Sequence, residues 1–189
     1  MSERHHVRVI RIWLGLFTAG LVLAGLTAFP LEYESRLVID WLHGPGSGFA
    51  HRFPQFAAWF EQAHRGLADT DAHYPFLAYG TDWLAFGHLT IAVAFAGPIR
   101  DPVRNRWVVQ FGMIACLMVV PMALISGPLR GIPAFWTPID ISFAVVGVVP
   151  LLMADRHIRA LERHTARDMP APCERPSTSP RVSQPAQPR

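Results

Sequence analysis

Four long apolar stretches, separated by polar segments rich in arginine, proline or glycine, organise this chain. Ile12–Leu31 runs twenty residues without a charge, a length that crosses roughly 30 Å of hydrocarbon. Phe76–Pro98 is interrupted by Asp82 and His88. Trp107–Leu129 carries no charge, and Phe135–Ala154 carries only Asp140. The pattern predicts an all-α fold, an integral membrane four-helix bundle with spans at 12–31, 76–98, 107–129 and 135–154. A signal peptide is the alternative for the first stretch. Its apolar core would be about 7–15 residues long and would end at a small-x-small site, whereas this one ends in Phe29-Pro30-Leu31. Pro121 and Pro150 lie inside the third and fourth stretches, so kinks are expected near Val119 and Val148.

The polar remainder has its own pattern. In the outer loop, 32–75, Leu37, Val38, Trp41 and Leu42 form a short apolar stripe. Phe49, Phe53, Phe56, Phe60 and Ala63 recur at helical spacing, with Trp59 alongside. The turn Gly44-Pro45-Gly46-Ser47-Gly48 separates the two segments. An amphipathic helical insert, lying on the membrane surface or capping the bundle, is expected there. From 168 to 189 the chain is rich in Pro, Ser, Gln and Arg, and too poor in apolar surface to offset the entropy of ordering, so a disordered tail is expected.

Arginine placement predicts direction. Arg4, Arg8 and Arg11 precede the first span (flank 1–11); Arg100, Arg104 and Arg106 lie between the second and third; Arg156, Arg159, Arg163 and Arg167 follow the fourth. The long loop has Arg36, Arg52 and Arg65 against Glu32, Glu34, Asp40, Glu61, Asp69 and Asp71, and Arg130 stands alone between the last two spans. Both termini are therefore expected in the cytoplasm and the insert outside.

Composition narrows the chemistry. The 189 residues make one domain, 51% hydrophobic, with net charge +3 and no lysine, so no lysine Schiff base or general base is available. The modest charge sits in flanks and does not suggest nucleic acid. Cys116 and Cys173 have no CxxC spacing and are expected at different depths, which supports neither a thiol redox motif nor a disulfide.

Ionisable residues within membrane spans mark pathways, cavities or partners. The threading puts Asp82, Asp140 and Arg130 in the outer leaflet, with His88 about 9 Å deeper than Asp82 at the helical rise. Arg130 could pair with either carboxylate, and the surplus negative charge could hold a proton, a cation or a cationic substrate. The competing reading is structural: an ion pair fixing helix register, or aspartates favoured at helix N-termini. Asp82 and His88 are about 240° apart around a helix and form no direct relay. A bis-histidine haem would need a second histidine at the depth of His88, and no other span offers one. His64, Asp69, Asp71 and His73 have spacing that could bind metal, or are simply solvated. Gly97-Pro98-Ile99-Arg100-Asp101-Pro102 is echoed by Gly127-Pro128-Leu129-Arg130-Gly131-Ile132-Pro133, either an inverted-repeat trace or one helix-stop chemistry used twice. No nucleophile elbow, P-loop, HExxH or dinucleotide fingerprint occurs.

Three stretches, Tyr74–His88, Gly97–Trp107 and Gly127–Phe143, together resemble a group of uncharacterised small bacterial membrane proteins. The likeness covers Tyr74 to Leu152 and implies a bacterial inner-membrane setting without any activity. The leading expectation is a non-enzymatic accessory or assembly component, without cofactor or metal, in contact with the lipid bilayer and with a membrane-protein partner or a second copy of itself. The alternatives are a small proton- or cation-coupled transporter using Asp82, Asp140 and Arg130, and a membrane redox protein or enzyme with a cofactor the sequence does not advertise.

Overall fold

A computed structural model describes residues 3–168. The expected tail, and Cys173 within it, lies outside these residues apart from Asp168, which closes the last helix. All regular structure among the described residues is helical: α1 (Glu3–Ala28), α2 (Leu31–His43), α3 (Ser47–Arg52), α4 (Pro54–His73), a one-turn 3-10 helix (Pro75–Ala78), α5 (Tyr79–Ala94), α6 (Ala96–Arg100), α7 (Arg106–Leu129) and α8 (Thr137–Asp168).

Four helical stretches are long and apolar enough to cross a membrane: Glu3–Ala28, Pro75–Arg100, Arg106–Leu129 and Thr137–Arg163. Their outer surfaces fit that solvent. Leu16 is 60% exposed, Leu117 61% and Val146 70%, a density of bare apolar side chains that water would penalise and lipid would not. The helices overrun the apolar stretches because a helix continues into the polar flanks until its backbone is stopped. α1 stops at Ala28 ahead of Pro30, whose ring would clash with the carbonyl four residues back. α7 ends in a Schellman turn: Gly131 takes φ +71°, Gly131 N–H donates to Pro128 O at 3.2 Å, and Ile132 N–H to Gly127 O at 2.9 Å. The echo copy ends differently. α6 runs through Gly97 and Pro98 to Arg100, and Asn105 Nδ2 donates to Gly97 O and to the carbonyl of the capping residue Asp101. Both copies stop a helix, by different bonds.

α1 packs on α5 along one side and on α8 along another, and α7 packs on α8. Small residues set the close approaches. A Cβ on Gly25 of α1 would meet Leu89 and the Ala85 carbonyl of α5, and one on Gly147 of α8 would meet Cys116 Sγ of α7. α5 reaches α7 at Phe95, just past its last residue. Phe95 is fully buried against Phe17 of α1 (4.8 Å between ring centroids) and lies over Gly112 of α7. The buried core of Ile10, Leu14, Phe95, Val109, Leu151 and Ile158 lies toward this end of the membrane helices.

The insert departs from expectation in one place. The aromatic run from Phe49 is two helices rather than one, broken at Phe53 (φ −127°, ψ 66°) because Pro54 excludes the helical conformation from the residue before it and then serves as the first residue of α4. α2 and α4 pair through Ser35 Oγ and His64 Nδ1 (2.9 Å) and His43 Nε2 and Glu61 Oε1 (3.1 Å). Phe56 of α4 stacks on Trp136, just before α8, with centroids 6.0 Å apart, and so ties the insert to the opposite end of α8 from the core.

Candidate functional site

Asp82 lies in the first turn of α5 and Asp140 in the first turn of α8, each half-buried; Arg130 is exposed at the end of α7. Among the described residues no hydrogen bond or ion pair joins these three, or joins any of them to His88. α1 lies between α5 and α8, which accounts for the separation of the two aspartates. The first-turn position places each carboxylate where the N-terminal helix dipole favours negative charge. His64 and His73 are nine residues apart on α4, so they face opposite sides. His64 bonds Ser35, and His73 Nδ1 bonds the Asp69 carbonyl at 3.0 Å. No group of three metal-ligating side chains converges among the described residues.

His88 is better placed. It falls at the middle of the Pro75–Arg100 stretch, half-buried. Its Nδ1 is 2.8 Å from Leu84 O; since a carbonyl only accepts, Nδ1 carries the hydrogen and Nε2 is left as the outward edge of the ring. Seven residues separate His88 from Phe95, so the two share one side of α5. At Phe95 that side meets α7. About 10 Å further along the helix, at His88, α5 and α7 no longer pack extensively on one another. No protein group bonds Nε2 among the described residues.

A second polar cluster lies at the core end. Asp155 of α8 is 1% exposed, yet fully engaged. Its Oδ1 accepts from Arg106 Nε at 2.7 Å, and its Oδ2 accepts from Arg159 Nε at 2.7 Å. Arg106 Nη1 donates to Glu162 Oε2 at 3.1 Å. Two carboxylates face two guanidiniums, so the group is neutral. It fastens the first residue of α7 to the last turns of α8. Beside it, His6 of α1 and His157 of α8 meet Nδ1 to Nδ1 at 2.9 Å, a contact that needs one ring to donate and the other to accept. Arg11 Nε donates to Ile99 O at 3.1 Å and ties α1 to α6. With both oxygens of Asp155 held by guanidiniums, this cluster is built as a clamp rather than as a proton or cation site.

The sequence reading passed over this clamp. Asp155 comes one residue after the expected end of the fourth span, in a flank read for its arginines alone. The signal was Asp155, Arg159 and Glu162 at i, i+4 and i+7, one face of a helix that had no other reason to carry acids. Compared with known protein families, with curated proteins and with solved structures, the chain matches none of them.

Proposed function

We propose that this chain is a non-catalytic component of a bacterial inner membrane that supports or assembles with another membrane protein by receiving one of its helices against the His88 side of α5. The observation that carries this reading is His88. An imidazole at mid-span with an uncommitted Nε2 is costly in lipid, and a hydrogen bond from a neighbouring transmembrane helix removes that cost. α5 packs on α1 and makes no extensive contact with α7, so its His88 side is not covered by a neighbouring helix of this chain among the described residues. The transporter alternative needs Asp82, Asp140 and Arg130 to act together, and their separation on different helices favours it less.

A photo-reactive residue at position 88, in the full-length protein in its native membrane, is expected to cross-link one membrane protein, or a second copy of this chain. The same residue at Val93, which is 74% exposed, is expected to label lipid. His88→Leu should lower recovery of the partner several-fold while leaving the helical content unchanged. Lipid labelling alone from both positions would remove the reading.

The threading belongs to the same proposal. The arginine-bearing ends of α1, α6, α7 and α8 gather at one side, as the clamp and the Arg11–Ile99 bond require, and we assign that side to the cytoplasm. A cysteine introduced at Asp71 of the insert should react with an impermeant thiol reagent added outside, and a reporter joined after Arg167 should be active inside. The reverse pair of results overturns this orientation.

A further inference from the structure

We infer that the first three turns of α1 form a binding site for the headgroup phosphate of an anionic phospholipid. The proposal rests on the membrane reading of the four helices and is independent of the partner proposed above. Arg4, Arg8 and Arg11 recur at i, i+4 and i+7, so their side chains share one face, spaced about 6 and 4.5 Å along the axis. With Val7 and Ile12 they line an open groove of about 630 Å³.

Charge pairing separates these arginines from those of the clamp. At the same end of the molecule Arg106 and Arg159 are committed to Asp155 and Glu162. Arg4, Arg8 and Arg11 have no carboxylate partner among the described residues, and Glu3 is the one acid beside them. Three like charges on one face, at the positive end of the helix dipole, oppose one another unless an anion joins them. Arg11 is already held: its Nε bonds the Ile99 carbonyl, which fixes the guanidinium and leaves its two terminal nitrogens for a phosphate oxygen.

The same face specifies a lipid rather than a free anion. Below the arginines the same face becomes apolar, over Gly15, where a Cβ would meet nothing within 4 Å, to the exposed Val22, with the exposed Ile12 and Leu16 along its flank. The arginines therefore stand at the level of the headgroups, and a track for an acyl chain begins one turn deeper. Basic pockets of this kind on the cytoplasmic side of membrane helices recognise anionic headgroups.

The test uses the full-length protein in nanodiscs of phosphatidylcholine, with phosphatidylglycerol added in steps, and counts retained lipid by native mass spectrometry. Wild type should retain phosphatidylglycerol in preference to phosphatidylcholine. Arg4→Gln with Arg8→Gln, positions whose side chains bond nothing among the described residues, should weaken that retention about thirty-fold, from roughly five-fold per arginine. Arg156→Gln with Arg163→Gln removes the same charge from the same end and should change it less than about two-fold. Equal loss in both double variants would show diffuse charge attraction and overturn the site. Displacement of the lipid by millimolar inorganic phosphate would show a free-anion site and overturn the lipid assignment.

Discussion

Asp155→Asn is expected to be among the most damaging single polar substitutions in this protein, lowering stability by about 3 kcal/mol. The carboxylate is 1% exposed and neutralises two guanidiniums at once. An amide of the same shape keeps the packing but leaves both cations without their counter-charge. The loss should sit at the lower end for a broken buried pair, because the side chains of Arg106 and Arg159 are 25% and 52% exposed and can turn to water. Glu162→Gln removes a contact at a site 32% exposed, and should cost about 1 kcal/mol or less. Reversible unfolding in mixed micelles, followed by helical circular dichroism, gives the ranking. If the two variants unfold together, Asp155 is not the centre of the clamp. Replacing Asp155, Arg106 and Arg159 together by leucine should restore much of the lost stability, since a buried ion cluster can often be exchanged for apolar packing.

Phe95→Ala should cost about 2–4 kcal/mol, through the cavity it leaves where α5, α1 and α7 meet. The transfer contribution is smaller than in a soluble core, because lipid is as apolar as the site; what is lost is close packing. Gly112 supplies the internal check. A Cβ there would stand 2.7 Å from Phe95 Cζ and 3.0 Å from Leu151 Cδ1, so Gly112→Ala should cost about 1–2 kcal/mol despite the better helix propensity of alanine. In the Phe95→Ala background the same change should cost clearly less, because the closer collision is gone and the vacated space lets Leu151 shift. Additive costs in the double variant would show that the two positions do not touch, and would remove the contact by which α5 closes onto α7. The same unfolding measurement reads all three variants.

These two sites differ in how they could be read from the chain. Phe95 and Gly112 are apolar residues within apolar stretches, and nothing in their neighbours distinguishes them from lipid-facing positions such as Val93 or Phe111. Membrane helices lose the usual rule that apolar means inside, because both environments of an apolar side chain are apolar. Which face packs is then set by where small residues allow backbones to approach, a property of helix pairs rather than of a helix. The charged clamp was partly legible, since acids at helical spacing beside arginine are visible in Asp155, Arg159 and Glu162; Arg106, forty-nine residues before Asp155, was not. Asp82, Asp140 and Arg130 show the opposite case. Depth along the membrane could be counted, and it put them at one level. Lateral position could not be counted, and α1 separates α5 from α8.

Length and hydropathy were sufficient to locate the four helices long and apolar enough to cross a membrane, because crossing hydrocarbon demands an apolar run of fixed length with its backbone bonds closed internally, and both demands are local. Proline and glycine likewise marked most helix ends, since each acts on its own and adjacent backbone; even the break at Phe53 follows from Pro54 alone. The neighbours of each helix and the pairing of Arg106 with Asp155 required the fold, because they depend on residues distant in sequence meeting across helix surfaces that look alike from within any one segment.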